Sequence, residues 1–349
     1  MKALLVYLLF GSALLCQSPV FRSETRVVEV PLVARDRRNA PVNDLTIGDL
    51  RLFDNGAEQT ILTLDKLAAP KGGAAEAPDD ASSRRLGPRL SIVVVDQLNT
   101  ALPDQIRGQL AIAAMLKKLP QNHERMGFFV LSDRLNVLCD FTTDNDILRT
   151  LFGKYEVEQL PIGATPAPLS VGPSSGFGRS PQTPGGVEAR GLAEQRLAIT
   201  RDAFGRIARR LKGLPGEKTL IWVTSGFPPP DVASNFSEVV QQLRDAKVTV
   251  YPVDARGLVP CLPLPCPASV TLPIEMMDGF AMDTGGRAYH DNNGLAALIR
   301  AALDESRHGY LLTYTPNNFS ADGLQHKVEL QTSRKAIDLR YRSGYTAGR

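Results

Sequence analysis

The residues best placed to do chemistry in this chain are Asp96, Asn99 and Thr100, gathered in one loop directly after the apolar run Leu90-Ser-Ile-Val-Val-Val95. A carboxylate, an amide and a hydroxyl so close together could ligate a hard cation, bond a partner's polar groups, or satisfy loop amides and cap the next helix. Ser225 adds a hydroxyl after a second apolar run, Thr219 to Thr224. Catalysis is harder to assemble. Gly172-Pro-Ser174-Ser-Gly176 spells Gly-x-Ser-x-Gly. A nucleophile elbow needs a strand before the serine and a helix after it, and this serine stands in a Gly/Pro/Ser-rich tract. His123, His290, His308 and His326 are far apart with no metal-ligand spacing. Neither a Gly-x-x-x-x-Gly-Lys loop nor a dinucleotide fingerprint follows any strand.

The elements that must position these groups read as an α/β sheet. Leu90 to Val95 is apolar without alternation, which suits a strand covered on both faces, and Pro103 to Leu119 reads as a helix with Ile106, Leu110, Ala113 and Leu116 toward that sheet. Two strands, Met126 to Leu131 and Leu135 to Cys139, come next. A helix from Asp144 to Phe152 then turns Ile147, Leu148 and Leu151 inward, with Asp144 as its cap. Leu192 to Lys212 is helical, Thr219 to Thr224 a strand, Ser234 to Ala246 a helix, Val248 to Val253 a strand, and Leu295 to Ser306 the closing helix. Strands alternating with helices make a doubly wound, mostly parallel sheet. Ligands in such sheets bind at the carboxyl ends of the strands, which is where Asp96 and Ser225 fall.

β patterns flank this core. Residues 26–67 hold short apolar runs, with Asp54-Asn55-Gly56 as a hairpin signal. Residues 308–345 return to strand pattern at Tyr310 to Tyr314, Lys327 to Gln331 and Ile337 to Tyr341. Each set alone leaves an apolar face uncovered, so both together are expected to form one small β-sandwich around an inserted α/β domain at 89–307; the alternative is that the C-terminal strands pack on the α/β domain itself and leave residues 26–67 a separate β domain. Residues 68–88 read as a linker, and residues 161–191, rich in Gly, Pro and Ser, as a mobile loop.

With 40 basic against 37 acidic residues, 6% aromatics and no basic run longer than a pair, there is no electrostatic footprint or stacking platform for nucleic acid. Residues 1–18 have the charged start, short apolar run and small residues of a signal peptide, too short for a confident membrane span. Cys16 leaves with that leader or bears lipid. Cys139 reads as a buried small hydrophobe. Cys261 and Cys266 bracket Leu-Pro-Leu-Pro without metal-binding companions, and an oxidising compartment lets them pair.

Six stretches, weak singly but specific in order, resemble the von Willebrand factor type A-related proteins that bacteria export. They are Pro41 to Gly56, Val95-Asp-Gln-Leu-Asn-Thr100, Asp140-Phe-Thr-Thr-Asp144, Val250 to Leu258, Asp283-Thr-Gly-Gly-Arg-Ala-Tyr289 and Arg342-Ser-Gly-Tyr345. The resemblance runs from about Val27 to Ala347. It implies a metal-ion-dependent adhesion site built from an Asp-x-Ser-x-Ser loop, a Thr from a second loop and an Asp after a later strand. Asp96 and Thr100 match the first and last loop positions. Leu98 replaces the middle serine, Ser225 stands where the later aspartate belongs, and only Thr165 or Thr183 could supply the second-loop hydroxyl.

The sequence therefore points to an exported, non-catalytic interaction protein whose edge at Asp96, Asn99, Thr100 and Ser225 meets a protein or other envelope macromolecule. The adhesion site is degenerate; Asp96 and Thr100 are the two residues left to ligate Mg²⁺, and no cofactor is expected. The alternatives are a structural envelope component with a vestigial edge, and a hydrolase using Ser174.

Overall fold

A computed structural model describes residues 27–67, 89–120, 124–154, 184–226, 236–262, 264–317 and 323–347. The leader, the linker, Ser174, Thr165 and Thr183 lie outside them.

The central sheet has the order β7-β6-β5-β8-β9. Its strands are β5 (Leu90–Asp96), β6 (Arg125–Leu131), β7 (Leu135–Thr142), β8 (Lys218–Thr224) and β9 (Val248–Asp254). β5, β6, β8 and β9 run parallel and β7 is antiparallel to β6. Because the chain builds outward from β5 on one side and then returns to place β8 on the other, the strand order reverses between β5 and β8. The carboxyl ends of those two strands carry Asp96 and Thr224, at the point where such sheets open a crevice.

Among the described residues six helices cover the sheet: α1 (Leu102–Lys117), α2 (Asn145–Gly153), α3 (Pro184–Lys212), α4 (Ser237–Asp245), α5 (Ala268–Thr284) and α6 (Leu295–Arg307). The alternation of side chains along each strand divides the core. Val93, Val95, Phe128, Val130, Ile221 and Val253 pack with Ile112, Met115, Leu148, Phe152, Ile299 and Leu303 from α1, α2 and α6. On the other face Ile92, Val94, Phe129, Leu220, Trp222 and Val250 meet Leu197, Phe204, Ile207, Val239, Leu243 and Phe280 from α3, α4 and α5.

Several expected details are corrected. Ile106 and Leu110 are exposed, and α1 faces the sheet with Gly108, Ala111, Ile112, Met115 and Leu116. The helix packs close to β8 there: a Cβ on Gly108 would lie 3.3 Å from Val223 Cγ1, tighter than ordinary van der Waals contact. Ile147 and Leu151 are likewise exposed, leaving Leu148 and Phe152 as the buried stripe of α2. Asp144 does cap that helix, accepting from the backbone N–H groups of Asp146 and Ile147. Part of the segment expected to be mobile is helical, since the helix spans Pro184–Lys212 and so includes residues before Leu192. α5, which contains Pro273, has no counterpart in the sequence reading.

The flanking strands form a β-sandwich of two four-stranded sheets, β12-β1-β10-β4 and β13-β11-β2-β3. β1 (Val28–Asp36) lies between β10 (Tyr310–Tyr314) and β12 (Ile337–Tyr341), while β4 (Ile61–Lys66) pairs with β10. β2 (Leu50–Asp54) pairs with β3 (Ala57–Gln59) and with β11 (Gln325–Thr332), which also holds β13 (Gly344–Thr346). Asn55 at φ +48° and Gly56 at φ +82° make the β2–β3 turn, a conformation that Asn and Gly tolerate best. Val30, Leu32, Leu52, Leu312, Tyr314 and Val328 fill the space between the sheets. Inside, the Asp54 carboxylate accepts the Tyr314 and Tyr345 hydroxyls, each at 2.9 Å, and faces His326 Nδ1 at 2.9 Å.

Buried charge joins the sandwich to the α/β core. Glu305 of α6 accepts from Tyr289 Oη at 2.7 Å and Arg340 Nη1 at 2.9 Å, with Arg35 Nη2 at 3.5 Å. Arg342 donates to Glu217 at 2.8 Å. Next to that pair, Lys218 is enclosed at the start of β8, its Nζ donating to the Ala246 carbonyl at 3.0 Å. Burial brings this lysine down from 10.5 to about 8, against an opposing pull from Glu217. Below pH 8 both folded and unfolded states carry the proton, so the native state bears the full desolvation cost; as pH climbs from 8 toward 10.5 the unfolded chain holds the proton longer and stability recovers. Lys218→Met is therefore expected to raise stability at pH 7 by about 2 kcal/mol, the desolvation gain less the lost hydrogen bond. Urea unfolding at pH 7 and pH 10.5 checks this: the gain should shrink at the higher pH, and a loss at pH 7 would refute it.

Candidate functional site

The loop after β5 is shaped by its own polar groups. The N–H groups of Gln97 and Leu98 both donate to the Leu131 carbonyl, at 2.8 and 3.1 Å, bending the chain across the end of β6. Gln105 of α1 donates Nε2 to the Gln97 and Thr100 carbonyls at 3.0 and 2.7 Å. Leu98 turns away from the edge into the apolar layer beneath α3.

Asp96 is buried at the centre of this arrangement. Its Oδ1 accepts the Asn99 backbone N–H at 2.9 Å. Its Oδ2 accepts Asn99 Nδ2 at 2.9 Å, Trp222 Nε1 at 3.1 Å and Thr224 Oγ1 at 2.8 Å. Burial pushes the Asp96 carboxyl above its ordinary range, and the bonds from Asn99, Thr224 and Trp222 pull it back. Asn99 Nδ2 also reaches Thr200 Oγ1 at 2.9 Å on α3, and that hydroxyl donates to the Arg196 carbonyl at 2.8 Å. The carboxylate thus links the loop, β8 and α3.

A second polar group lies on the α1 side. Thr100 Oγ1 accepts the Ser225 N–H at 3.1 Å, Ser225 Oγ donates to Asp104 Oδ2 at 3.2 Å, and Arg107 pairs with Asp104 at 3.1 Å. Arg107 also donates to the Ala255 carbonyl at 2.9 Å. Gly226, at φ +107°, follows Ser225 where a Cβ would stand 2.3 Å from Pro273 Cβ, so only glycine lets α5 approach. At the end of β9, Asp254 is buried in a two-pronged pair with Arg256, at 3.0 and 2.7 Å, and Gly257 turns at φ +75°.

Of the residues expected at a contact surface, Asp96, Asn99 and Thr100 are buried and Ser225 is partly so. They lie one layer beneath the surface because the free valences of the carboxylate and hydroxyl turn inward to helix and strand. Trp222, Thr224 and Thr200 belong to the network and were missed. Trp222 and Thr224 lie inside a strand read as plain apolar core, and Thr200 sits within a helix, beyond the loop where a hydroxyl was sought.

What the edge does expose is apolar. From Gly257 to Ile274 the chain carries no charged residue, although 22% of the whole is charged. This stretch leaves β9 at the same edge, held by a bond from the Leu258 N–H to Asn293 Oδ1 at 2.9 Å. The Cys261 and Cys266 sulfurs are joined, with Cα atoms 4.9 Å apart, closing a loop on which Leu262 is 74% and Leu264 78% exposed, beside Leu258 at 61%.

The doubly wound, mostly parallel α/β sheet with a flanking β-sandwich, expected from the sequence, is the fold the chain has. No family model and no curated protein matches it. Among solved structures, an aerotolerance-related membrane protein from Bacteroides fragilis with multiple mutations to serines is 13% identical, covering 63% of this chain and 98% of that one at a TM-score of 0.39. Proximal thread matrix protein 1 from the mussel byssus is 13% identical over 63% of this chain and 48% of that one, TM-score 0.35. The manganese-loaded TRAP protein of Plasmodium vivax is 10% identical over 74% and 93%, TM-score 0.37. Likeness at this level says nothing of ligand or activity.

Proposed function

We propose that the chain is an exported, non-catalytic interaction protein, adhesion-like in fold, whose partner is a protein or other envelope macromolecule. The observation that carries this reading is the exposed, uncharged loop around Leu258, Leu262 and Leu264 at the carboxyl edge of the sheet. Contiguous apolar surface bordered by polar groups marks a place where something binds. Closure by Cys261 and Cys266 and the prolines at 260, 265 and 267 restrict the loop beforehand, which reduces the ordering cost of association. The buried polar network at the carboxyl ends of β5 and β8 holds that part of the same sheet edge in shape, with Asp96, Asn99 and Thr100 acting through the backbone they position and Ser225 nearest the surface. The degenerate adhesion site is consistent with Leu98 standing where a hydroxyl ligand, and Ser225 where a carboxylate ligand, would be.

Export is supported by the leader pattern at residues 1–18 and by a disulfide of the kind an oxidising compartment sustains. Among the described residues no helix is long and apolar enough to cross a membrane. A photo-crosslinking amino acid placed at Leu262 should give a discrete adduct in the organism's envelope fraction, whereas one at Leu62, exposed on the sandwich, should not. Equal labelling from both positions, or none from Leu262, contradicts the reading and leaves the chain a structural component.

A further inference from the structure

The type A resemblance implies a divalent ion beside Asp96, and the donor set around this carboxylate does not fit one. A Mg²⁺ ion requires near-octahedral coordination by oxygen lone pairs. Asp96 Oδ2 instead receives hydrogens from Asn99 Nδ2, Trp222 Nε1 and Thr224 Oγ1, and Oδ1 receives the Asn99 N–H. Each of these donors presents partial positive charge to the oxygens a cation would approach. The Thr100 hydroxyl already accepts the Ser225 N–H, which leaves it a single lone pair, and Leu98, sunk in the core, has no side-chain oxygen to offer. Asn99 Oδ1 has no partner among the described residues. One neutral amide oxygen beside a donor-filled carboxylate does not make a divalent-ion site.

We infer that the Trp222 indole N–H, the Thr224 hydroxyl and the Asn99 amide take the place of the ion, making Asp96 the positioning residue of a metal-free lock. The lock fixes the loop after β5 to β8 directly and to α3 through the Asn99 Nδ2 bond to Thr200. Whatever the edge binds, the loop geometry there is independent of Mg²⁺ and Mn²⁺. This holds whether or not the exposed leucines meet a partner, so the two ideas fail separately.

Trp222 is the only tryptophan in the chain, and its fluorescence therefore reports on the indole's surroundings, which include the Asp96 bond and the rings of Phe204 and Phe280. The experiment titrates the full chain with MgCl₂ and with MnCl₂, following tryptophan emission and calorimetric heat, and repeats it on Asp96→Asn and on Thr224→Val. The expected result is no saturable change of emission or heat in the native chain up to millimolar ion. Asp96→Asn, which sets an amide against the indole N–H, should shift the emission maximum; should that variant fail to fold, Thr224→Val, which keeps the carboxylate but removes one donor, should shift it in its place. Saturable Mg²⁺ or Mn²⁺ binding that alters Trp222 emission in the native chain overturns the inference. So does emission that neither variant moves.

Discussion

Asp96→Ala is expected to cost about 3–5 kcal/mol of folding stability, the range for removing one partner of a buried charged network. The change strands the Trp222 N–H, the Thr224 hydroxyl and the Asn99 amide in a site closed to water, and each stranded donor carries a desolvation cost of about 1–3 kcal/mol. The costs do not add fully, because Asn99 can turn toward Thr200 and the Thr224 hydroxyl can rotate. Ser225→Ala, by contrast, removes a partly buried hydroxyl bonded to Asp104 and should cost about 1 kcal/mol or less. Urea unfolding followed by far-ultraviolet circular dichroism measures both. An Asp96→Ala loss no larger than that of Ser225→Ala would mean the carboxylate is not the hub of the loop.

Deleting residues 309–349 should abolish protection of the N-terminal strands against proteolysis. β1 has β10 on one side and β12 on the other, and β2 relies on β11, so the truncation removes the neighbours of strands lying 250 residues or more away in sequence. It also strips Asp54 of Tyr314, Tyr345 and His326, leaving a buried carboxylate with no partner among them. What is left is β1 and β4 without a neighbour and the two-stranded β2-β3, and so small a remnant is not independently stable in water. Limited proteolysis with mass spectrometry should find cleavage within residues 28–66 in the truncated chain and none in the full one. Unchanged resistance of that segment would refute the shared sandwich.

The sequence reading reached the α/β class because period and length speak for themselves in strands such as Leu90 to Asp96, apolar throughout and buried on both faces. It misjudged which side of a helix faces the sheet. α1 carries two apolar stripes, and the larger residues Ile106 and Leu110 suggest the wrong one; the close approach at Gly108, visible only in three dimensions, selects the other. α5 escaped notice because Pro273 and the lack of charge blur its helical pattern. At the site, the loop from Asp96 to Thr100 was legible from its residue types. Its inward orientation was not, since Thr200 and Trp222 lie over a hundred residues away and meet Asp96 only through tertiary packing.

Contact through the apolar edge loop is what one measurement can test most directly. That measurement is the affinity of the purified chain for the partner trapped at position 262, compared between the native chain and Leu262→Asp/Leu264→Asp. Both side chains are largely exposed, so the double change should leave the unfolding transition in place. Apolar anchors at the centre of an interface typically carry about 1–2 kcal/mol each, so the predicted loss is at least tenfold in Kd. Equal affinity of the two proteins, with the fold intact in both, would contradict the account.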